Sequence, residues 1–78
     1  MNNKQEIEIK LFATLRRHFA VPPSANLREP RQIAGLLADI GIPEAKVAII
    51  FIDGRHAELS ATVSPGQTLS LFPPIGGG

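Results

Sequence analysis

Hydrophobic and polar residues alternate from the start of the chain. Ile7, Ile9 and Leu11 share one face, with Glu6, Glu8, Lys10 and Phe12 on the other, the two-residue period of a half-buried strand. Phe12 is the one large apolar residue on the polar side. From Thr14 to Phe19 the apolar Leu15 and Phe19 stand four apart, which suits one or two helical turns over the end of a sheet. Pro22-Pro23-Ser24-Ala25-Asn26 then breaks any helix, and a second strand fits only weakly around Ala25 to Arg28. Next the period changes. Ile33, Leu36, Leu37 and Ile40 fall at i, i+3, i+4 and i+7, all on one side of a helix. Pro30 suits its first turn, Gly41 is placed to cap its end, and Pro43 stops it. Gly35 either weakens the helix, by roughly 1 kcal/mol against alanine, or lets it lie close on a sheet.

Val47 to Ile52 is apolar on both faces, as expected of a strand covered on both sides or placed centrally. Asp53-Gly54 signals a tight turn, and Arg55 to Leu59 returns as a short strand. Pro65-Gly66 reads as the centre of a type II turn. In the last strand, Gln67 to Phe72, Leu69 and Leu71 alternate against Thr68, Ser70 and Phe72. One helix cannot cover a sheet by parallel crossovers alone, so the order implies an α+β fold. The expected architecture is a β-grasp: a mixed sheet of four to five strands, first and last central and parallel, with one main helix packed across one face.

Composition narrows the function. Seventy-eight residues make one domain, and 44% hydrophobic with 19% charged residues is ordinary for a globular one. The absence of cysteine excludes disulfides, thiolate metal sites and cysteine nucleophiles. The longest apolar run, Val47 to Ile52, is far short of the roughly 18 residues that span a bilayer. Met1 to Glu6 carries no apolar signal segment, so the expected location is cytoplasmic, with no membrane partner. The net charge of +1 and the offsetting of Arg16, Arg17, Arg28 and Arg31 by Glu6, Glu8, Glu29 and Asp39 argue against a nucleic-acid partner. Arg16 and Arg17 are either a solvated face or a patch for an acidic partner. His18 and His56 have no metal-ligand spacing, Asp53 reads as a turn former, and Ser24, Ser60, Ser64 and Ser70 lack any motif for an activated nucleophile. No metal site and no independent enzyme is expected.

The chain ends Leu71-Phe72-Pro73-Pro74-Ile75-Gly76-Gly77-Gly78. The two prolines favour an extended conformation and end the strand. Terminal glycines cannot build a core and are costly to order. The six residues beyond Phe72 reach at most about 20 Å, as a stiff neck and a thin thread ending in a carboxylate. The domain is therefore expected over 1–72, with a flexible tail over 73–78. Phe72 is either core or, with Phe12, part of an exposed apolar patch beside that tail. The three glycines also admit a bland origin as a linker remnant.

These features resemble the MoaD/ThiS family of ubiquitin-like sulfur carriers. The resemblance rests on "KLFATLR" (Lys10 to Arg16), "IAGLL" (Ile33 to Leu37), "IDG" (Ile52 to Gly54) and "PGQTLSLFPPIGGG" (Pro65 to Gly78). The first and last are most similar to the molybdopterin synthase small subunit, while glycine at 76 is similar to the triple-glycine ending of thiamine carriers. "RHFAVPPSANLREP" departs from the usual pattern. The resemblance implies a β-grasp fold and a chain that binds no cofactor. A ubiquitin-activating-type adenylyltransferase would use ATP and magnesium to adenylate the Gly78 carboxylate, which a persulfide-derived sulfur converts to a thiocarboxylate. Phe72, Pro73, Pro74, Ile75, Gly76 and Gly77 would be the partner-binding neck and thread. The sulfur would pass to the large subunit of molybdopterin synthase, or to an equivalent acceptor enzyme, in molybdenum-cofactor biosynthesis. The alternatives are a carrier for thiamine, a tungsten-type cofactor or amino-acid synthesis, a ubiquitin-like protein modifier, and a plain interaction module.

Overall fold

The first and last strands pair in parallel at the centre of a five-stranded sheet. In the computed structural model, which describes residues 5–74, β1 spans Glu6–Leu11, β2 Ser24–Asn26, β3 Arg31–Gln32, β4 Ile49–Ile52, β5 Arg55–Ala57, β6 Thr62–Val63 and β7 Thr68–Phe72. Two α-helices, α1 at Thr14–His18 and α2 at Ile33–Ile40, and a 3₁₀ turn at Glu44–Lys46 complete the described elements. The main sheet has the order β2-β1-β7-β4-β5, parallel only between β1 and β7. β3 and β6 form a separate two-stranded antiparallel ladder. This is the expected α+β, β-grasp arrangement.

The periodicities become burial. Ile7 and Ile9 of β1, Ile50 of β4, and Leu69 and Leu71 of β7 lie at 5% exposure or less on the sheet face turned to α2. Ile33, Leu36 and Leu37 of α2 meet them, and Leu15, Leu27, Ile42 and Val63 close the edges of the same core. Each such side chain contributes on the order of 1.5–3 kcal/mol by leaving water. Among the described residues no polar side chain is buried.

α2 departs from expectation at its start. Pro30 is not in its first turn, because Arg31 and Gln32 are extended and pair with Val63 and Thr62. The helix begins at Ile33 for a backbone reason: Ile33 N donates to Ala61 O at 2.9 Å and Ala34 N to Leu59 O at 3.0 Å. These carbonyls satisfy N–H groups that a first helical turn leaves orphaned, so Gln32 needs no side-chain cap. Its end is as expected. Gly41 is left-handed (φ 82°) and its N–H bonds back to Ala38 O. Gly35 does not serve close approach to the sheet, since the space beside it is filled by the Arg31 guanidinium, which donates to Gly35 O at 3.3 Å.

The turns follow their residues. Asp53 (φ 52°) and Gly54 (φ 81°) both have positive φ, the requirement of a type I′ hairpin between β4 and β5. Asp53 also ties this turn to β7: its Oδ1 accepts from Thr68 N at 2.8 Å and its N–H donates to Thr68 O at 2.9 Å. Gly66 (φ 91°) follows Pro65, and Gln67 N donates to Ser64 O at 3.2 Å, closing the expected turn. β4 and β5 are shorter than expected, losing Val47, Ala48, Glu58 and Leu59.

Candidate functional site

α2 covers one face of the main sheet. Strand register fixes what stands on the other face: Glu8 and Lys10 from β1, opposite Thr68 and Ser70 of β7, then Phe51 of β4 opposite Ser70, and His56 of β5 opposite Phe51. Phe72, opposite Ile49, joins them because Leu71 and Leu69 take the core side of β7. Phe12 follows β1 directly and is held there by a bond from its N–H to Leu71 O at 3.1 Å.

Three aromatic rings therefore converge where the sheet hands the chain to its tail. Phe12 and Phe72 stack with ring centroids 4.3 Å apart and planes within 6°. Phe51 meets Phe72 edge-on at 5.7 Å, and His56 meets Phe51 edge-on at 6.0 Å. Edge-to-face and offset-stacked rings each add about 0.5–1.5 kcal/mol beyond area burial, so the ring contacts favour this arrangement. Among the described residues no element covers it. Phe12 remains 37% exposed, the one large hydrophobic side chain in that state among the described residues. Of the two readings for Phe72, the structure selects the patch, with its ring half-buried between Phe12 and Phe51.

Phe51 was not among the sequence-derived site residues. Its signal lay in the two-faced apolarity of Val47 to Ile52, which suited either a strand covered on both sides or a central one. β4 does lie inside the sheet, between β7 and β5, but its outward side chains belong to this open patch.

The neck begins at once. Ala48 N donates to Phe72 O at 2.8 Å, and Pro73 is half-buried while Pro74 is exposed. Both prolines line a cleft of about 140 Å3 between α1 and the 3₁₀ turn, with His18, Phe19, Ala45 and Lys46. Ile75, Gly76, Gly77 and Gly78, which carry the expected thread and reacting carboxylate, lie outside the described residues, as do residues 1–4.

Backbone strain sits beside the ring cluster. Ala13 has φ 54° and ψ −129°, a region that only glycine enters readily. That sharp bend lets α1 start straight after Phe12, with Leu15 N donating to Phe12 O and Arg16 N to Ala13 O, each at 3.1 Å. Leu15, at 2% exposure, then pins α1 to the core.

Arg31 and Asp39 form an exposed, hydrogen-bonded ion pair along α2; that hydrogen bond, and then the guanidinium charge, hold the Asp39 carboxyl below the ordinary range. Among the described residues no group of three or more His, Asp or Glu side chains could hold a metal ion, and no helix is long and apolar enough to cross a membrane. What the arrangement provides is an aromatic platform leading into Pro73 and Pro74.

Among known families, the ThiS family model matches residues 9–78. No curated protein and no solved structure matches the chain.

Proposed function

The chain belongs to the ThiS family, and from that premise we propose that its Gly78 carboxylate is adenylated and converted to a thiocarboxylate for sulfur delivery. Members of the family are non-catalytic sulfur carriers that bind no cofactor themselves and act with ubiquitin-activating-type adenylyltransferases. The observation that carries the reading is the ring cluster of Phe12, Phe72 and Phe51, set immediately before Pro73-Pro74 and the three terminal glycines. An open aromatic platform suits an enzyme that must hold a carrier while its terminus is processed.

Division of labour follows from the chemistry. A carboxylate is a poor acyl donor; attack on the α-phosphate of ATP releases pyrophosphate and gives the Gly78 carbonyl a good leaving group, AMP. Sulfur from a persulfide then bonds to that carbon as the bond to AMP breaks, and a thiol cleaves the remaining sulfur–sulfur bond. Every acid, base and metal in this sequence belongs to the partners, ATP and magnesium included. This chain supplies the acyl group. Gly76 and Gly77, without Cβ atoms, fit a channel too narrow for other residues. Phe72, Pro73, Pro74 and Ile75 form the docking neck, and residues 73–78 act as the tail of a cytoplasmic carrier.

We assign the sulfur to molybdopterin synthesis, with the large subunit of molybdopterin synthase as acceptor, on "LFATLR" and "LFPPIGGG". The second reading is thiamine synthesis, favoured by Gly76 and by the name of the matching family. Intact-mass measurement tests the chemistry. After incubation with the cognate adenylating enzyme, ATP and a sulfur source, the protein gains about 16 Da, one oxygen exchanged for sulfur. No gain from an enzyme competent on another carrier overturns it. Co-purification with a pterin-modifying or a thiazole-forming acceptor separates the two pathways.

A further inference from the structure

A cleft of about 530 Å3 opens on the outer edge of β1, beside the ring cluster. It exists because β2 is short. β2 covers β1 only along Glu6 to Glu8, Pro23 O takes the Ile9 N–H at 2.8 Å, and upstream of Pro23 the chain swings away to α1. The parallel ladder engages Phe12 N with Leu71 O, so Leu11, one residue earlier, turns its own N–H and C=O away from β7 and towards this gap. The gap is walled by Phe12, Lys10 and Arg16 and floored by the half-buried Phe19 and Val21. Among the described residues neither Lys10 nor Arg16 has a side-chain hydrogen bond or ion pair. Phe12 is a wall of the cleft and a member of the ring cluster, so the two surfaces are continuous.

Charge is distributed unevenly along the strands. Lys10, Arg16, Arg17 and Lys46 gather at the end where β7 leaves the sheet, and there they outnumber the acidic Glu44 and Glu58, the latter placed by the pairing of Ala57 with Ile50 and of Ile50 with Leu71. Glu6, Glu8 and Asp53 gather at the opposite end with Arg55. The tail therefore leaves from the positive pole. A steering field of that sign favours an acidic counterpart around the point of entry.

We propose that the cleft receives an acidic segment of the adenylating partner, an apolar side chain flanked by Asp or Glu, an inference that rests on the sulfur-carrier reading. The apolar side chain seats on Phe19 and Val21, its flanking carboxylates meet Lys10 and Arg16, and the free edge at Leu11 offers backbone hydrogen bonds to the segment. The volume lies within the range of pockets that hold a few large side chains or a small ligand. Continuity with the aromatic platform places this second contact within the same docking footprint.

The test measures kcat/KM for thiocarboxylate formation, by intact mass, across a range of ionic strength. Proteins compared are wild type, a Lys10→Glu/Arg16→Glu double variant, Ala20→Trp, which fills the cleft from an exposed position, and Arg55→Glu as a charge control at the other pole. Thermal melts of each accompany the rates. The double variant is expected to lose about tenfold or more at low salt and to flatten the salt dependence. Ala20→Trp is expected to lose several-fold at unchanged melting temperature, and Arg55→Glu to stay within twofold of wild type. Rates within twofold for both cleft variants, with wild type fully converted, overturn the cleft and leave the carrier chemistry standing. An equal loss in Arg55→Glu reduces the effect to net charge and also overturns it. Sedimentation is the last arm: a wild-type dimer abolished by the double variant assigns the cleft to a second copy instead. If wild type itself gains no mass, the carrier reading fails, and the inference with it.

Discussion

Phe12 and Leu71 are joined by one backbone hydrogen bond, yet their side chains face opposite sides of the sheet, and replacing each by alanine separates docking from folding. Leu71 is fully buried among α2 and the neighbouring strands, where Leu→Ala costs roughly 2–5 kcal/mol in lost transfer energy and residual cavity. A domain this size has a total stability on the order of 4–12 kcal/mol, so the variant sits near the edge of folding. At about 4–8 °C per kcal/mol, its melting temperature falls by at least ~8 °C. Phe12 is 37% exposed and its ring contact is the single stack on Phe72. Losing that stack and the partly hidden area costs about 1–2 kcal/mol, a fall of roughly 4–16 °C.

The functional ranking is inverted. A central aromatic anchor of a docking surface is worth about 2 kcal/mol or more, so Phe12→Ala lowers kcat/KM for thiocarboxylate formation roughly 30-fold at saturating ATP. Leu71→Ala, assayed at a temperature where its urea curve shows it folded, keeps kcat/KM within about threefold of wild type, because the outer face is intact. Urea unfolding followed by circular dichroism gives the stabilities, and intact-mass time courses give the rates. A Phe12→Ala protein as active as wild type refutes the docking role of the ring cluster. One as unstable as Leu71→Ala shows instead that the outer face is a second core.

Three further outcomes are expected. Deleting Gly78 abolishes the mass gain while leaving the melting temperature within about 2 °C, because β7 already ends at Phe72; a large fall contradicts the separation of tail from domain. Ala13→Gly relieves the positive φ beside Phe12 and raises the unfolding free energy from urea curves by on the order of 1 kcal/mol, whereas a lower stability contradicts the strain assigned to that bend. Asp39→Asn tests the exposed pair with Arg31. The folded carboxyl is held below its ordinary value, so its contribution is present above the unfolded value, about 3.9, and fades as pH falls through the folded one. Wild type should exceed the variant in urea midpoint at pH 7 and converge with it in acid; a gap that widens in acid contradicts the sign.

The parts legible in the sequence were those whose pattern repeats. Ile7 and Ile9 against Glu8 and Lys10, and Ile33, Leu36 and Leu37 within α2, are each long enough for period to reveal which side is buried. Gly41, Gly54 and Gly66 announced positive φ, and the structure uses each for it. β3 and β6 escaped because two residues carry no period, and they exist only as a ladder between segments about thirty residues apart. The same ladder shifted the start of α2: Pro30 suggested a first turn, but the carbonyls of Leu59 and Ala61 supply the missing caps three residues later. Phe51 escaped for a different reason. Period distinguishes apolar from polar faces, and when both faces are apolar it cannot tell a covered face from an open one. Phe12 and Phe72 could be read as a patch because each interrupts an otherwise polar row, and a break in a pattern carries information that an unbroken run does not. The cleft edge at Leu11 lies beyond any such reading, since it depends on where β2 stops relative to β1, a register that no local pattern encodes. Candidate site residues that break the local rule were therefore visible, and those made only by pairing were not, which is the division expected if period records burial and register records assembly.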